Sequence, residues 1–428
     1  MNSKTTRLTF FPFLAFFFIS FVAMQCPLGQ GDERKGHNLV QEKPKQDPFQ
    51  SLVDKYSKLK ELNEKLTLDR QEESEKVLKD KEELKLKESN KLKLGSELKN
   101  LEDSLKRKEF KRLESEIAPL KDGIVKRVKR VDDLINGQAI NDSNLRICIK
   151  DIQSSTKALV GGKRLMIKGV PYTIYIADLN VDMIRLHLKD KDNKNFFSLG
   201  TVKSYLQANH IDPLMITNAG MFTPKYEPEG LYVEDSEEKF ELDTLANKPN
   251  ANFYLQPNGV FYVDAQGKAF IKTTKEYREL NKAQKISPII ATQSGPMLLV
   301  EGVPHASFKE GSKNLNIRNG VGIIDERKVV FAATQGEVNF YDFAMFFKDI
   351  FASQNALFLD GAISQMYVAG VGEQAIGGHF GPMLSVARKK ANPQGPVQKE
   401  PFKKEEVINR PPKATVPKAN ESSNSMKK

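Results

Sequence analysis

Residues 51–118 constrain the fold more than any other stretch: they carry 35 charged side chains in 68 positions, 18 positive and 17 negative, with Gly95 the one glycine and no proline. Lys, Glu and Leu at that density favour helix over every alternative. Apolar positions recur at Leu52, Leu59 and Leu66 with Leu62 between them, and again at Leu94, Leu98, Leu101 and Leu105. After Pro119 the spacing resumes at Leu120, Ile124, Val128, Val131 and Ile135, while Val77 and Leu84 stand nearly alone in a ragged middle. Three-four spacing marks a helix seam. It predicts a long helix or an antiparallel helical hairpin over 51–136, coiled-coil-like and interrupted near Gly95 and Pro119. Such a segment would act as a spacer or a self-association device; a solvated helix docked on the domain behind it is the plainer alternative. The near-cancelling charges give no support to a polyanion-binding helix.

The chain's net charge of +11 invites a nucleic-acid reading that its distribution removes. Residues 1–31 hold +2, residues 388–428 hold +7 and residues 136–387 sum to −1. Lys4 and Arg7 precede an apolar run over 8–24, the pattern of a secretory signal. Gly29 and Gly31 suit cleavage before Asp32, giving a signal peptide 1–31 and a linker 32–50. The expected localisation is exported: periplasmic, secreted or envelope-associated. Lipidation at Cys26 is the lesser alternative, because Gln25 is a poor residue before a lipidated cysteine. With two cysteines in all, a disulfide-stapled module and a Cys-rich zinc module are both excluded, and Cys148 would remain as a lone buried thiol. The Lys- and Pro-rich segment 389–428 reads as a disordered basic tail, plain and flexible, with contact to anionic envelope polymers as the lesser alternative.

From 140 to 388 the periodicity changes to two. Strands are expected at 164–179 with a turn at Gly169, and at 182–188, 214–217, 252–256, 260–263, 297–300, 321–324, 328–332 and 356–359. Pro257, Asn258 and Gly259 suggest a hairpin turn between the fourth and fifth of these. Helices are expected at 202–208, 274–283 and 342–352. Strands outnumber helices, so the fold class is α/β of the α+β kind: a mixed, twisted β-sheet with flanking helices, preceded by the charged helical segment. No P-loop, GxSxG elbow, HExxH or GxGxxG occurs.

Polar residues gather where strands meet glycine turns. Asn218 and Gly220 follow an apolar strand, and Glu229 comes shortly after; each pattern also fits an ordinary turn. Ser294 and Gly295 open a strand, and Arg318 and Asn319 precede another. Arginine's planar fork suits an anionic oxygen pair, although Arg318 equally suits a structural carboxylate. The stretch Leu359, Asp360, Gly361 with Ser364 beyond delivers a carboxylate at the end of an apolar strand, where it would serve catalysis or cap a following helix. The five histidines show no metal-ligand spacing, so no metal and no cofactor is expected. His187 reads as structural, and His305 and His379 as candidate ligand contacts.

Taken in order, these motifs resemble the phosphodiester glycosidase family in its bacterial exported branch. The similarity covers about 218–387. It rests on Asn218-Ala219-Gly220-Met221-Phe222, Pro228-Glu229-Gly230-Leu231, Asn252-Phe253, Pro257-Asn258-Gly259-Val260-Phe261, Ser294-Gly295-Pro296-Met297-Leu298, Arg318 and Leu359-Asp360-Gly361. The branch containing the lysosomal uncovering enzyme differs. It has a glycine-rich run where this chain has Ala362 and Ile363, and Pro-Arg-Thr where this chain has Ile317, Arg318 and Asn319.

The resemblance implies hydrolysis of a sugar-1-phosphodiester at the glycosidic C1–O bond, releasing a phosphomonoester. Asp360 would be the catalytic carboxylate with Glu229 as the second candidate, and Arg318 would clamp the leaving phosphate. Asn218, Gly220, Ser294, Gly295, Asn319, Gly361 and Ser364 would bind the sugar-phosphate or glycan substrate. The competing class is a non-catalytic glycan-binding envelope module carried on a coiled-coil spacer.

Overall fold

The computed structural model of the chain describes residues 47–98, 104–245, 252–361, 363–372 and 374–390. The expected signal segment with Cys26, all but the end of the linker and nearly all of the tail lie outside the described residues.

The charged segment forms an antiparallel hairpin of two helices, α1 (Pro48–Leu98) and α2 (Ser104–Thr156). Pro48 opens α1 where its missing N–H costs nothing, and Asp47 Oδ1 accepts the Phe49 N–H at 2.9 Å. The pairing follows from the contacts. Cys148 Sγ lies 3.6 Å from Leu52 O at the base, Gln138 Nε2 donates to Thr67 Oγ1 midway, and Lys87 and Lys91 meet Glu116 and Glu114 at 2.7 Å further out. The second helix runs past 136 to Thr156, and Pro119 lies inside it without breaking it. Ile117 and Ile124, buried on either side of that proline, hold the helix together by packing. No helix among the described residues is long and apolar enough to cross a membrane.

The remaining strands and helices follow in order. They begin with β1 (Gly161–Ile167), β2 (Val170–Asp178), β3 (Asp182–His187), α3 (Leu199–Ala208) and β4 (Pro213–Asn218). Next come β5 (Tyr232–Glu234), β6 (Glu237–Phe240), β7 (Gly259–Asp264), β8 (Ala269–Thr273) and α4 (Thr274–Lys282). Then come β9 (Pro288–Ser294), β10 (Met297–Val300), β11 (Val303–Pro304), β12 (Asn319–Asp325) and β13 (Lys328–Thr334). The last are α5 (Phe340–Met345), continued by a π-turn at Phe346–Ile350, then β14 (Ala356–Asp360), β15 (Met366–Val368) and β16 (Met383–Arg388).

The fold is α+β, and its strands divide into three sheets. A seven-stranded sheet runs β1-β2-β13-β12-β14-β10-β11, a four-stranded sheet β15-β4-β16-β3, and a five-stranded sheet β6-β5-β9-β7-β8. Every pairing among these strands is antiparallel, so the one mixed sheet expected from the sequence is instead three antiparallel ones. The hairpin expected across 252–263 is not formed. Asn252–Tyr254 is a 3-10 turn, Asn258 Nδ2 donates to Phe253 O at 3.0 Å, and β7 pairs with β8 and β9.

The seven-stranded sheet is buried on both faces. Along β14, Ala356 and Phe358 join a core with α5 and the base of the hairpin, whereas Leu357 and Leu359 point into the core shared by the three sheets. Burial on both faces explains the unbroken apolar run before Asp360.

Candidate active site

Strands β4 and β14 belong to different sheets, and their C-terminal ends meet. Asn218 closes β4 and Asp360 closes β14, with Asn218 Nδ2 donating to Asp360 Oδ2 at 3.3 Å. Asn319, the first residue of β12, stands opposite Asp360 in the register. Its Oδ1 accepts the Asp360 backbone N–H at 2.7 Å, while its Nδ2 donates to Asn218 O at 2.8 Å and Thr217 Oγ1 at 3.2 Å. Asn218 Oδ1 in turn accepts the Gln365 N–H at 3.0 Å. Ser364 Oγ lies 2.6 Å from Gly361 O and 3.2 Å from Asn319 Oδ1. Both asparagine amides are thus oriented by opposed donors and acceptors; Asn218 holds the Asp360 carboxylate and Asn319 its backbone N–H.

Asp360 accepts one further bond, from the Gly361 N–H at 2.6 Å, and no lysine or arginine forms an ion pair with it among the described residues. Burial therefore dominates, and the Asp360 carboxyl is pushed up to about 6 despite the Gly361 and Asn218 hydrogen bonds, which pull it down. A carboxylate poised there can take a proton near neutral pH.

Ser364 and Gln365 also line an adjoining cavity of about 240 Å³, whose other polar walls are Thr173, Thr334, Gln335 and Gln374. None of its lining residues is charged. Hydroxyl and amide groups without charge are the donors and acceptors that sugar hydroxyls require. A larger cavity of about 560 Å³ is lined by Arg185, His187 and Arg388 and holds no member of the Asp360 network.

Of the residues singled out in the sequence, the structure joins Asn218, Asn319, Asp360, Gly361 and Ser364. The others make different contacts. Arg318 is buried at 1% exposure, and its guanidinium stacks over the Phe340 ring at 3.6 Å. Its Nε and Nη2 donate to Val338 O at 2.8 Å and Asn314 O at 3.0 Å, and burial lowers its pKa to about 10. No hydrogen bond or ion pair links it to Asp360, because neighbours along a strand point to opposite faces. Glu229 sits beside Tyr254, whose phenol donates to Asp243 Oδ2 at 2.9 Å.

Ser294 supports the site from one step away, its Oγ donating to Leu359 O at 2.8 Å. Gly220 and Gly295 are packing positions. A Cβ on Gly220 would strike Gln293 O, and one on Gly295 would come within 2.7 Å of Phe253 O. Of the histidines, His187 bonds Ser385 Oγ at 2.8 Å, and burial holds its pKa down at about 3. His305 spends both ring nitrogens on Gln256 O and Ser307 N, which removes it as a ligand contact, while His379 is exposed.

Sequence reasoning missed Thr217 and Gln365. Thr217 adjoins Asn218 in β4, a signal that was present; Gln365 contributes through its backbone, which no side-chain pattern announces.

Residues 213–400 match the family model described as phosphodiester glycosidase. The Escherichia coli (strain K12) protein named Uncharacterized protein YigE is similar, with 36% identity over 177 residues. That match covers 41% of this chain and 66% of the relative, so the chain spans just under two thirds of the relative's length. The matched range opens at β4 and contains Thr217, Asn218, Asn319, Asp360, Gly361, Ser364 and Gln365. The segment that builds the Asp360 network therefore lies within the range that matches the phosphodiester glycosidase model.

Proposed function

We propose that this chain is an exported hydrolase that cleaves a sugar-1-phosphodiester at the glycosidic C1–O bond. The observation that carries the reading is the half-buried Asp360 carboxyl, pushed up to about 6, whose hydrogen-bond network reaches an uncharged polar cavity through Ser364 and Gln365. In the reaction, Asp360 takes a proton from water as the water oxygen bonds to C1. The bond from C1 to the phosphate oxygen breaks, and its electron pair leaves on the phosphomonoester. That leaving group is already a stable anion, so no carboxylic acid is needed to protonate it. A site with one carboxylate suffices for this step.

Asn218 and Asn319 hold Asp360, and Ser364 and Gln365 present polar groups to the sugar hydroxyls. Arg318 enters as a positioning residue. Its bonds to Asn314 O and Val338 O tie down the loop that leads into Asn319. The contrary reading, a glycan-binding module without turnover, draws its support from the same single carboxylate. A release assay on sugar-1-phosphodiesters separates the two. Phosphomonoester release by the wild-type chain and its loss in Asp360→Asn support hydrolysis, whereas tight binding without release supports the module.

A further inference from the structure

The loop that leaves Asn218 carries Phe222 and Tyr226, whose rings stack at 5.8 Å between centroids. Phe197, from the turn before α3, meets Tyr226 edge-on at 5.0 Å, and the His379 imidazole lies 6.3 Å from Phe197 and 6.4 Å from Tyr226. The three segments are tied by backbone bonds: Phe380 N–H to Phe197 O at 2.7 Å, Gly200 N–H to Ile376 O at 2.7 Å and Ala219 N–H to Pro382 O at 2.9 Å. The cluster is nevertheless open to water. Phe197 is 38% exposed, His379 is exposed, and Phe222 and Tyr226 are half-buried.

The backbone supplies an independent sign. Phe197 has φ +59° and Tyr226 has φ +63°. Left-handed geometry suits glycine or asparagine and is costly for a bulky ring. Among the described non-glycine residues with this geometry, Phe197 and Tyr226 are the two that carry a phenyl or phenol ring, and their rings touch each other while remaining partly exposed. Chain length places the Phe222 Cα within about 14 Å of the Asn218 Cα, a span that a short oligosaccharide covers.

We propose that Phe197, Phe222, Tyr226 and His379 form a stacking platform for a neutral pyranose ring with equatorial hydroxyls, belonging to the glycan portion of the substrate. The inference rests on the reading of the Asp360 site given above. A pyranose of this type presents a continuous C–H face that lies flat on an aromatic ring. None of the four rings brings a formal negative charge, and the imidazole edge supplies a hydrogen-bonding group beside the apolar faces.

The test uses the full chain as Asp360→Asn, so that turnover does not intervene, titrated with cellohexaose and chitohexaose by calorimetry. Because the chain has no Trp, tyrosine fluorescence gives a second reading from the same titration. The parent variant should bind at least one hexasaccharide. Adding Phe197→Gly should weaken that affinity about ten-fold while leaving the melting temperature equal or higher, since glycine relieves the left-handed backbone. Adding Tyr226→Phe, which keeps the ring, should preserve the affinity. No binding of either hexasaccharide, or undiminished binding in the Phe197→Gly variant, overturns the platform. So does a change in the sedimentation of the free protein in place of a change in affinity, since the cluster would then be a contact between copies. Ring-dependent binding together with a wild-type chain that releases no phosphomonoester would instead sink the catalytic reading and leave the platform standing.

Discussion

Asn218 Nδ2 and Asp360 Oδ2 lie 3.3 Å apart, and the two residues come from sheets that share no strand pairing. The amide is the one side-chain donor bonded to that carboxylate among the described residues. Removing it should therefore raise the Asp360 pKa further above about 6, because a hydrogen bond that favours the charged form is lost. In Asn218→Ala the acid limb of the kcat/KM profile should move to higher pH. An unmoved limb would separate Asp360 from the titration that governs turnover.

Asp360 costs stability for its position. Its unfolded carboxyl titrates near 3.8 and its folded one near 6, so its contribution is full below 3.8 and is lost as pH rises through 6. At neutral pH, Asp360→Asn should stabilise the fold by up to about 2 kcal/mol and lower kcat by roughly 10³-fold. Thermal melts at pH 4 and pH 7 check the first half. The gain should appear at pH 7 and vanish at pH 4.

Arg318 distinguishes a positioning role from a clamp. Arg318→Ala removes two hydrogen bonds and the stack on Phe340, and should destabilise by roughly 3 kcal/mol. Arg318→Lys keeps the charge but not the planar fork, and should recover only part of the loss. Neither variant should discriminate between charged and neutral sugars in KM. A selective rise in KM for the phosphodiester, with the melting temperature intact, would restore the clamp.

The helical hairpin is fastened to the sheet domain by a buried pair. Tyr56 donates to Asp349 Oδ2 at 2.8 Å, and Lys60 Nζ lies 3.6 Å from the same oxygen. Tyr56→Phe leaves the ring in place and should cost about 1–2 kcal/mol. Hydrogen exchange should quicken first around 49–60 and 145–156, the base of the hairpin, with the strands near Asp360 unchanged.

Much of this organisation was legible in the sequence, for identifiable reasons. The change of hydrophobic period separates the hairpin from the sheets. Asn218, Asn319 and Asp360 are readable because each is a polar residue at the end of an apolar strand, where a side chain can reach the neighbouring sheet. What escaped depends on direction. Arg318 and Asn319 are adjacent in sequence, yet one guanidinium lies on Phe340 while the other side chain organises Asp360. Residues 252–258 carry a hairpin's composition, but Asn258 spends its amide on Phe253 O instead. Strand β16 hides because its one polar residue inside the apolar run, Ser385, is buried against His187 and so breaks the alternation without facing water.

The hairpin also sets a scale. Its first helix has 51 residues and so extends about 75 Å. Phe49, Val53 and Tyr56 are sunk in the core at one end, while cross-helix ion pairs such as Lys91–Glu114 stiffen the shaft toward the other. A rod seated in the core at one end and braced along its length acts as a ruler. Shortening both helices by whole turns should reduce that length by about 5.4 Å per turn without altering one contact around Asp360.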